Sequence, residues 1–412
     1  MKRVVLFFIL LISASVMALQ ESDAQWVQTS APRDAKISCF AFNASMTFAG
    51  SDSGLLISTD RGFSWQTADS GLTNTYTVYS CLVLDSTTIL VGTAFQGVFR
   101  STDDGATWKA VNTGLTNHGV YSLARSDSNI FAATGAGVFR STDKGTSWQR
   151  SGLTSGFIAC LAVSAKRADT SSILAGTGTG GVFRSTNNGS SWKSINTGLT
   201  NNTIWSIAIV DSNIFIGTGT SGIFLTTDNG ASWNAVNTGL GNLNVQSFAC
   251  VGKNIFAGTY GGGVFLSGDN GANWLSVNDG LGNWNVNVLG LNSGIIYAGI
   301  YGGGVWARAL HELVGVFHQS SSQSPLRFSL KQNYPNPFNP NTNFEFRIAN
   351  FGFVSLKVYD MLGREVATLV NEVKQPGEYA VRWNAEGIAS GVYFYRLTAG
   401  SCREVKKMLY LR

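Results

Sequence analysis

Charge is scarce in this 412-residue chain: 13% of residues are Asp, Glu, Lys or Arg, against roughly 25% in an ordinary globular protein. From residue 22 to residue 311 there is no glutamate at all, and the whole chain holds 6 Pro, 5 Cys and 3 His. Each shortage excludes something. Nucleic-acid binding needs clustered Lys and Arg, and the net charge of +5, divided as +1 over 25–310 and +4 over 311–412, does not supply them in either part. Glycoside hydrolysis ordinarily uses two carboxylates, commonly including a Glu, and residues 25–310 offer only 14 Asp. Cys39, Cys81, Cys160, Cys250 and Cys402 are an odd and sparse set, unlike a disulfide framework. The first three read as one position in three repeats, hence as small buried hydrophobes. His118, His311 and His318 do not make a metal motif, and His311-Glu312 lacks the second His that a zinc helix requires. No cofactor, metal or catalytic residue is expected.

Long apolar runs are also missing beyond the N-terminus. Lys2 and Arg3 precede an apolar run over 4–12 and then small residues, the order of an export signal cleaved after Ala18 or Ala24. The run is too short to span a bilayer, so the mature chain is expected to have no transmembrane span.

Glycine, by contrast, is abundant, 48 residues, and it recurs with a period. A Gly-hydrophobic-aromatic segment or near variant starts at Gly54, Gly97, Gly137, Gly181, Gly222, Gly263 and Gly304, in steps of 40 to 44 residues. Each unit reads as four strands, for example 205–210, 214–218, 222–226 and 234–236. A four-stranded sheet in about 41 residues has two apolar faces that only neighbouring sheets can cover, which predicts an all-β ring, a seven-bladed β-propeller, over 25–310. The seventh repeat ends without a fourth strand. Residues 23–28 (Asp-Ala-Gln-Trp-Val-Gln) align with 271–276 (Gly-Ala-Asn-Trp-Leu-Ser), so 26–28 are expected to supply that outer strand and cover an otherwise open edge.

Between the third and fourth strands stands Ser/Thr-x-Asp-x-Gly-x-x-Trp, six times, with Asp60, Asp103, Asp143, Asn187, Asp228 and Asp269 at its acidic position. An Asp carboxylate accepts N–H bonds inside its own turn, and Gly takes the positive φ. A structural role follows, and Asn187 fits it because Asn makes the same turn bonds. The series resembles the Asp-box (BNR-type) repeat of sialidases, sortilin-like receptors, xyloglucanase-type glycosidases and photosystem II assembly factor-like proteins. That resemblance implies a propeller, and it leaves an extracellular glycoside hydrolase and an assembly-factor-like chaperone as alternatives to a binding protein. The sialidase likeness fails in detail: Arg100, Arg140 and Arg184 repeat at one equivalent position, where they read as links from strand to hairpin rather than as a substrate clamp.

On the opposite face the loops carry Tyr76, Phe95, His118, Tyr260, Trp284 and Tyr301. Aromatics in polar, Gly-rich loops either bind a ligand, glycan or protein, or pack on neighbouring loops. Trp284, between Asn283 and Asn285, with Tyr260 and Tyr301 nearby, is the favoured ligand site, followed by Tyr76 and Phe95.

Composition shifts after Leu310. Residues 311–325 read as a polar linker, and 326–412 as a small Ig-like β-sandwich of about seven short strands, among them 353–359, 379–383 and 392–397. This module contains Gln-Asn-Tyr-Pro-Asn-Pro-Phe-Asn-Pro at 332–340, Val-Tyr-Asp-Met-Leu-Gly-Arg-Glu-Val at 358–366, Ser-Gly-Val-Tyr-Phe-Tyr-Arg-Leu at 390–397 and Lys-Lys-Met-Leu-Tyr-Leu-Arg at 406–412. In these motifs it resembles the type A C-terminal sorting domain of type IX secretion. The resemblance implies a signal built on Pro335, Pro337, Gly391, Tyr393, Lys406 and Lys407, the outer-membrane secretion machinery as partner, and delivery to the surface or medium by way of the periplasm.

Overall fold

A computed structural model of the chain describes residues 25–72, 77–154, 156–164, 172–314, 328–348, 352–374, 377–399 and 402–411. The export signal, Tyr76 and most of the 311–325 segment lie outside these residues.

Residues 25–309 form seven four-stranded antiparallel sheets. In the fifth, Ile204–Val210, Asn213–Thr218, Ile223–Thr226 and Asn234–Ala235 follow one another as a meander. The second strand of each sheet is almost wholly buried because neighbouring sheets cover both its faces, whereas the first alternates, as Ile204–Val210 does. First strands touch in sequence: Ile37–Phe42, Val78–Val83, Val120–Ser126, Ile158–Val163, Ile204–Val210, Val245–Val251 and Val286–Asn292. The last also touches the first, so the sheets close a ring in the manner of a propeller. As expected, the seventh sheet takes its outer strand from the start of the chain. Val27–Gln28 pairs with Gly304–Ala309, Val27 opposite Ala307 and Gln28 opposite Trp306.

Tryptophan joins sheet to sheet. The Trp26 indole donates to the Val277 carbonyl at 2.7 Å, Trp108 to Ala68 at 2.9 Å, Trp148 to Val111 at 2.8 Å and Trp274 to Val236 at 2.8 Å. In each case the acceptor belongs to the preceding sheet. Trp65 closes the circle by donating to the Thr29 hydroxyl, just past the borrowed strand. The glycines of the loops that follow the outer strands complete the seam. A Cβ on Gly239, at φ +81, would stand 2.2 Å from the Trp274 carbonyl oxygen, so only glycine lets the next sheet approach.

Three sequence expectations change here. The expected linker, 311–325, begins inside a helical turn, Leu310–Val314, with Leu313 buried against the last sheets and Glu312 paired with Arg308 at 3.4 Å. Cys81 does not share the position of Cys39 and Cys160. Those two stand opposite Gly50 and Gly176, and the equivalent residue opposite Gly92 is Ser80, one before Cys81. All five cysteines are free, and burial pushes the Cys39 and Cys160 thiols up to about 12. The last module has seven strands among the described residues, as expected, but six of them run to eight to ten residues where shorter ones were expected.

That module is two sheets around one core. Ser329–Leu330, Asn341–Ile348 and Gly377–Asn384 form the first, and Glu365–Lys374, Gly352–Tyr359, Gly391–Ala399 and Cys402–Tyr410 the second. Phe344, Phe346 and Ile348 of one pack with Val354, Leu356, Tyr395 and Leu397 of the other.

Candidate functional site

The six motif turns, five with Asp and one with Asn187, sit at one end of the ring, where third strands pass to fourth. Ser101 donates to Asp103 Oδ1 at 2.7 Å, and the Gly105 N–H donates back to the Ser101 hydroxyl at 2.8 Å. Thr107 adds its N–H to Oδ1 at 2.9 Å and its hydroxyl to Oδ2 at 2.5 Å. The same bonds recur around Asp60, Asp143, Asp228 and Asp269. Asn187 keeps them, except that its amide donates to Ser191 where the carboxylates accept. The Thr107 hydroxyl, then the Thr107 N–H and the Ser101 hydroxyl, hold the Asp103 carboxyl down at about 2. Sequence reasoning gave the positive φ to Gly alone. The residue before it takes one too, Arg61, Asp104, Lys144, Asn188, Asn229 and Asn270 lying between 54° and 61°, so the turn has two successive left-handed residues, the type I′ pattern. The repeated arginines link strand to hairpin as expected: Arg140 donates to the Asn188 carbonyl and Arg184 to the Asn229 carbonyl, both at 3.1 Å and both in the next sheet.

The opposite end carries the aromatic loops. Tyr260 and Tyr301 meet edge to face with centroids 5.8 Å apart, and Lys36 stands 4.3 Å above the Tyr301 ring while donating to its hydroxyl at 2.8 Å. Trp284 is 52% exposed, and its carbonyl accepts the N–H groups of Gly261 and Gly263 at 3.0 and 2.9 Å, which ties it to the Tyr260 loop. Tyr260, Tyr301 and Trp284 are thus brought together, with Lys36 added. Phe95 is 72% exposed on a loop of the second sheet, away from those three loops in sequence, and His118 lies in the loop that follows, its carbonyl accepting the Gly97 N–H.

A second aromatic series went unnoticed in the sequence. Tyr79 and Tyr121 lie 5.2 Å apart, Tyr121 and Phe157 4.6 Å, Phe157 and Trp205 6.3 Å. These residues stand at the start of four successive first strands. Each first strand has a bulge there: pairing skips Ser38, Tyr79, Tyr121, Ala159, Trp205, Gln246 and Asn287 in turn. A bulge leaves one residue unpaired and re-aims its side chain. Burial, and after it Tyr121, raises the Tyr79 hydroxyl above its ordinary value while Lys36 opposes them, so the series lies within electrostatic reach of the Tyr301 cluster. The seven repeated bulges were the signal, visible only once repeats are aligned by register.

In the second module the motif residues converge. Pro335 and Pro337, each after a cis peptide bond, lie in the segment before Asn341–Ile348. Asn333 takes the Tyr395 hydroxyl on its N–H at 2.8 Å and donates from its amide to the Pro335 carbonyl at 3.1 Å. Asn336 Oδ1 accepts the Leu409 N–H at 2.9 Å, welding the segment to the last strand. Gly391 pairs with Tyr410, Tyr393 is buried with its hydroxyl on the Ala389 carbonyl, and Lys406 and Lys407 stand opposite Tyr395 and Phe394. At the same end, Tyr334, Met361 and Leu362 are 80%, 73% and 76% exposed.

Residues 332–410 match the secretion system C-terminal sorting domain family. The chain is therefore exported, to the cell surface or the medium, and engages the type IX secretion system through this module. No helix among the described residues is long and apolar enough to cross a membrane, which says nothing of β-barrels. Comparison with curated proteins finds no match. Among solved structures the chain is similar to PorZ, a surface component of the type IX secretion system of Porphyromonas gingivalis, with 18% identity and a TM-score of 0.56, over 94% of this chain and 61% of that one. It is similar to the extracellular domain of the putative one component system BT4673 of B. thetaiotaomicron, with 17% identity and a TM-score of 0.57, over 80% and 45% of the two chains. It is also similar to YCF48, solved bound to a D1 peptide, with 15% identity and a TM-score of 0.57, over 71% and 98%. The chain thus spans less than two thirds of the first two, and at such identities the likeness establishes a propeller-type fold alone.

Proposed function

We propose that this exported chain is a non-enzymatic binding protein: a seven-bladed Asp-box β-propeller whose aromatic loop face holds a ligand, followed by an Ig-like type A sorting domain. The observation that carries the reading is the meeting of Tyr260, Tyr301 and Lys36 beside the half-exposed Trp284. These rings sit on loops outside the strands of the sheets, and flat aromatics presented with a cation are suited to capturing a partner rather than to packing a core. A hydrolytic reading is less favoured because Asp60, Asp103, Asp143, Asp228 and Asp269 commit both carboxylate oxygens to their own turns. Tyr334, Met361 and Leu362, gathered at the motif-bearing end of the last module, are our choice for the surface that the secretion machinery reads.

The test is ligand capture by the purified mature chain from a glycan array and from surface extracts, beside a polysaccharide hydrolysis assay. Binding without turnover, lost in the Trp284→Ala, Tyr301→Ala double variant, is the expected result. Turnover, or capture indifferent to the double variant, overturns the reading.

A further inference from the structure

Around the ring axis, at the loop-face end, the seven bulged positions hold Ser38, Tyr79, Tyr121, Ala159, Trp205, Gln246 and Asn287. None of the seven is ionisable near neutral pH. They divide by chemistry. Four successive sheets contribute the rings of Tyr79, Tyr121, Phe157 and Trp205, with Phe157 two residues ahead of the small Ala159, just before the strand begins at Ile158, and in ring contact with both flanking aromatics. The next two sheets contribute amides: Gln246, which donates to Asn244 Oδ1, and Asn287, which donates to the Ile37 carbonyl at 2.8 Å. All four rings and both amides are half-buried, neither sealed in the core nor freely waving in water.

Half-burial matters because a row of rings held against one another loses little freedom when a ligand settles on it. The tilted and T-shaped geometry fixes which faces and edges remain open. A ligand for such a rim has to offer flat apolar faces to the rings and uncharged donors and acceptors to the amides. A neutral ligand suits the rim, since none of the seven positions offers a charge to pair with an ionised group, and Lys36, which acts on Tyr79, stands in the Tyr301 cluster and not in the rim. Sugar rings meet these terms: their C–H faces are apolar and their edges carry hydroxyls. Peptides and uronic-acid chains bring termini or carboxylates that the rim leaves unpaired.

We propose that the axial rim is a binding site for a neutral glycan, its sugar faces on Tyr121, Phe157 and Trp205 and its hydroxyls on the amides of Gln246 and Asn287. This deepens the binding-protein reading and rests on it, while using residues other than Trp284, Tyr260 and Tyr301.

The experiment is isothermal titration of the mature chain with neutral hexasaccharides of glucan, xylan, mannan and galactan, and with an oligogalacturonate and a mixed peptide pool for contrast. Variants are Tyr121→Ala, Trp205→Ala, Gln246→Ala and the conservative Tyr121→Phe, each checked for an unchanged melting transition. At least one neutral hexasaccharide is expected to bind, about tenfold more weakly in each correctly folded alanine variant and undiminished in Tyr121→Phe. Should Trp205→Ala not fold, the Tyr121 and Gln246 variants decide. Failure of every neutral glycan, binding confined to the acidic or peptide probe, or glycan binding unmoved by these variants overturns the assignment. Peptide capture that depends on Trp284 but not on Tyr121 would overturn the glycan site and leave the binding-protein reading standing.

Discussion

Trp26→Ala is the sharpest test of ring closure. Trp26 is 2% exposed, precedes the borrowed strand, donates from its indole to Val277 at 2.7 Å and from its backbone to Asp279 at 2.8 Å. Truncating a buried Trp to Ala costs about 3–5 kcal/mol in lost transfer and cavity formation. The Val277 carbonyl keeps a second donor, Arg308 at 3.3 Å, so no further penalty for an orphaned acceptor is added. In a closed ring that loss belongs to the whole cooperative unit. At about 2 °C per kcal/mol for a domain of this size, the ring's melting temperature falls by about 6–10 °C. Trp108→Ala, the equivalent change inside the second sheet, serves as the internal standard: it is also buried and donates to Ala68. Scanning calorimetry of the mature chain, with urea unfolding followed by fluorescence, reads both. Equal losses within about 1 kcal/mol are expected. In an open array the end unit frays by itself and the main transition stays put. A Trp26→Ala protein melting within about 2 °C of the parent, beside a Trp108→Ala protein that drops, would refute closure by the N-terminal strand.

The Asp103 carboxyl, held at about 2 chiefly by the Thr107 hydroxyl, lies below its unfolded value of about 3.9. Its contribution to stability is therefore complete above about pH 4 and is lost as pH falls through about 2. Asp103→Asn, which can bond as Asn187 does, should flatten the fall in melting temperature across that window, and an unchanged slope counts against the turn bonds as the cause. Gly239→Ala sets a Cβ against the Trp274 carbonyl oxygen and strains a φ of +81, so urea unfolding should show a loss of more than about 1 kcal/mol. Gly252→Asn, at φ +56 with open space around it, should cost little, and similar losses for the two would show that the inter-sheet approach is not what demands glycine at 239. Met361→Asp with Leu362→Asp, on a hairpin tip where both side chains are mostly exposed, should leave melting unchanged but trap the chain in the periplasm, as immunoblots of cell fractions would show. Normal surface delivery would mean this tip is not read.

The ring was legible in the sequence because its signals are local and repeated: alternation in the first strand, an apolar second strand, and the six turns with Asp or, once, Asn. Even the closing strand could be found, since residues 23–28 carry the same Trp frame as 271–276. The aromatic rim was not legible for a definite reason. Sequence alternation assigns faces by a period of two, and a bulge at Tyr79, Tyr121 and Trp205 breaks that period at the residue that matters. The misplacement of Cys81 has the same origin, because alignment by sequence similarity slid one residue past the register that Gly92 fixes. The helical turn Leu310–Val314 was hidden by its five-residue length, too short for a 3.6-residue period to show.

These features give the ring two ends with different physical duties. At the Asp-turn end, hydroxyls, carboxylates and backbone N–H groups satisfy one another within each hairpin, and Tyr297 reaches across to donate to the Arg61 carbonyl at 2.8 Å. The Asp carboxylates and the Ser and Thr hydroxyls of the turns are thus taken up inside their own hairpins. At the loop end the rings of Trp284, Tyr260 and Tyr301 and the half-buried rim are held by backbone bonds such as those from Gly261 and Gly263 to Trp284, which fix the loops while leaving the side chains open. Side chains as exposed as Trp284 and Tyr301 can change with little loss of fold. On that basis, substitutions at Trp284 and Tyr301 should alter ligand capture while leaving the melting temperature nearly fixed, whereas substitutions at Asp103 or Gly239 should do the reverse, and a loop variant that unfolded the ring would contradict the division.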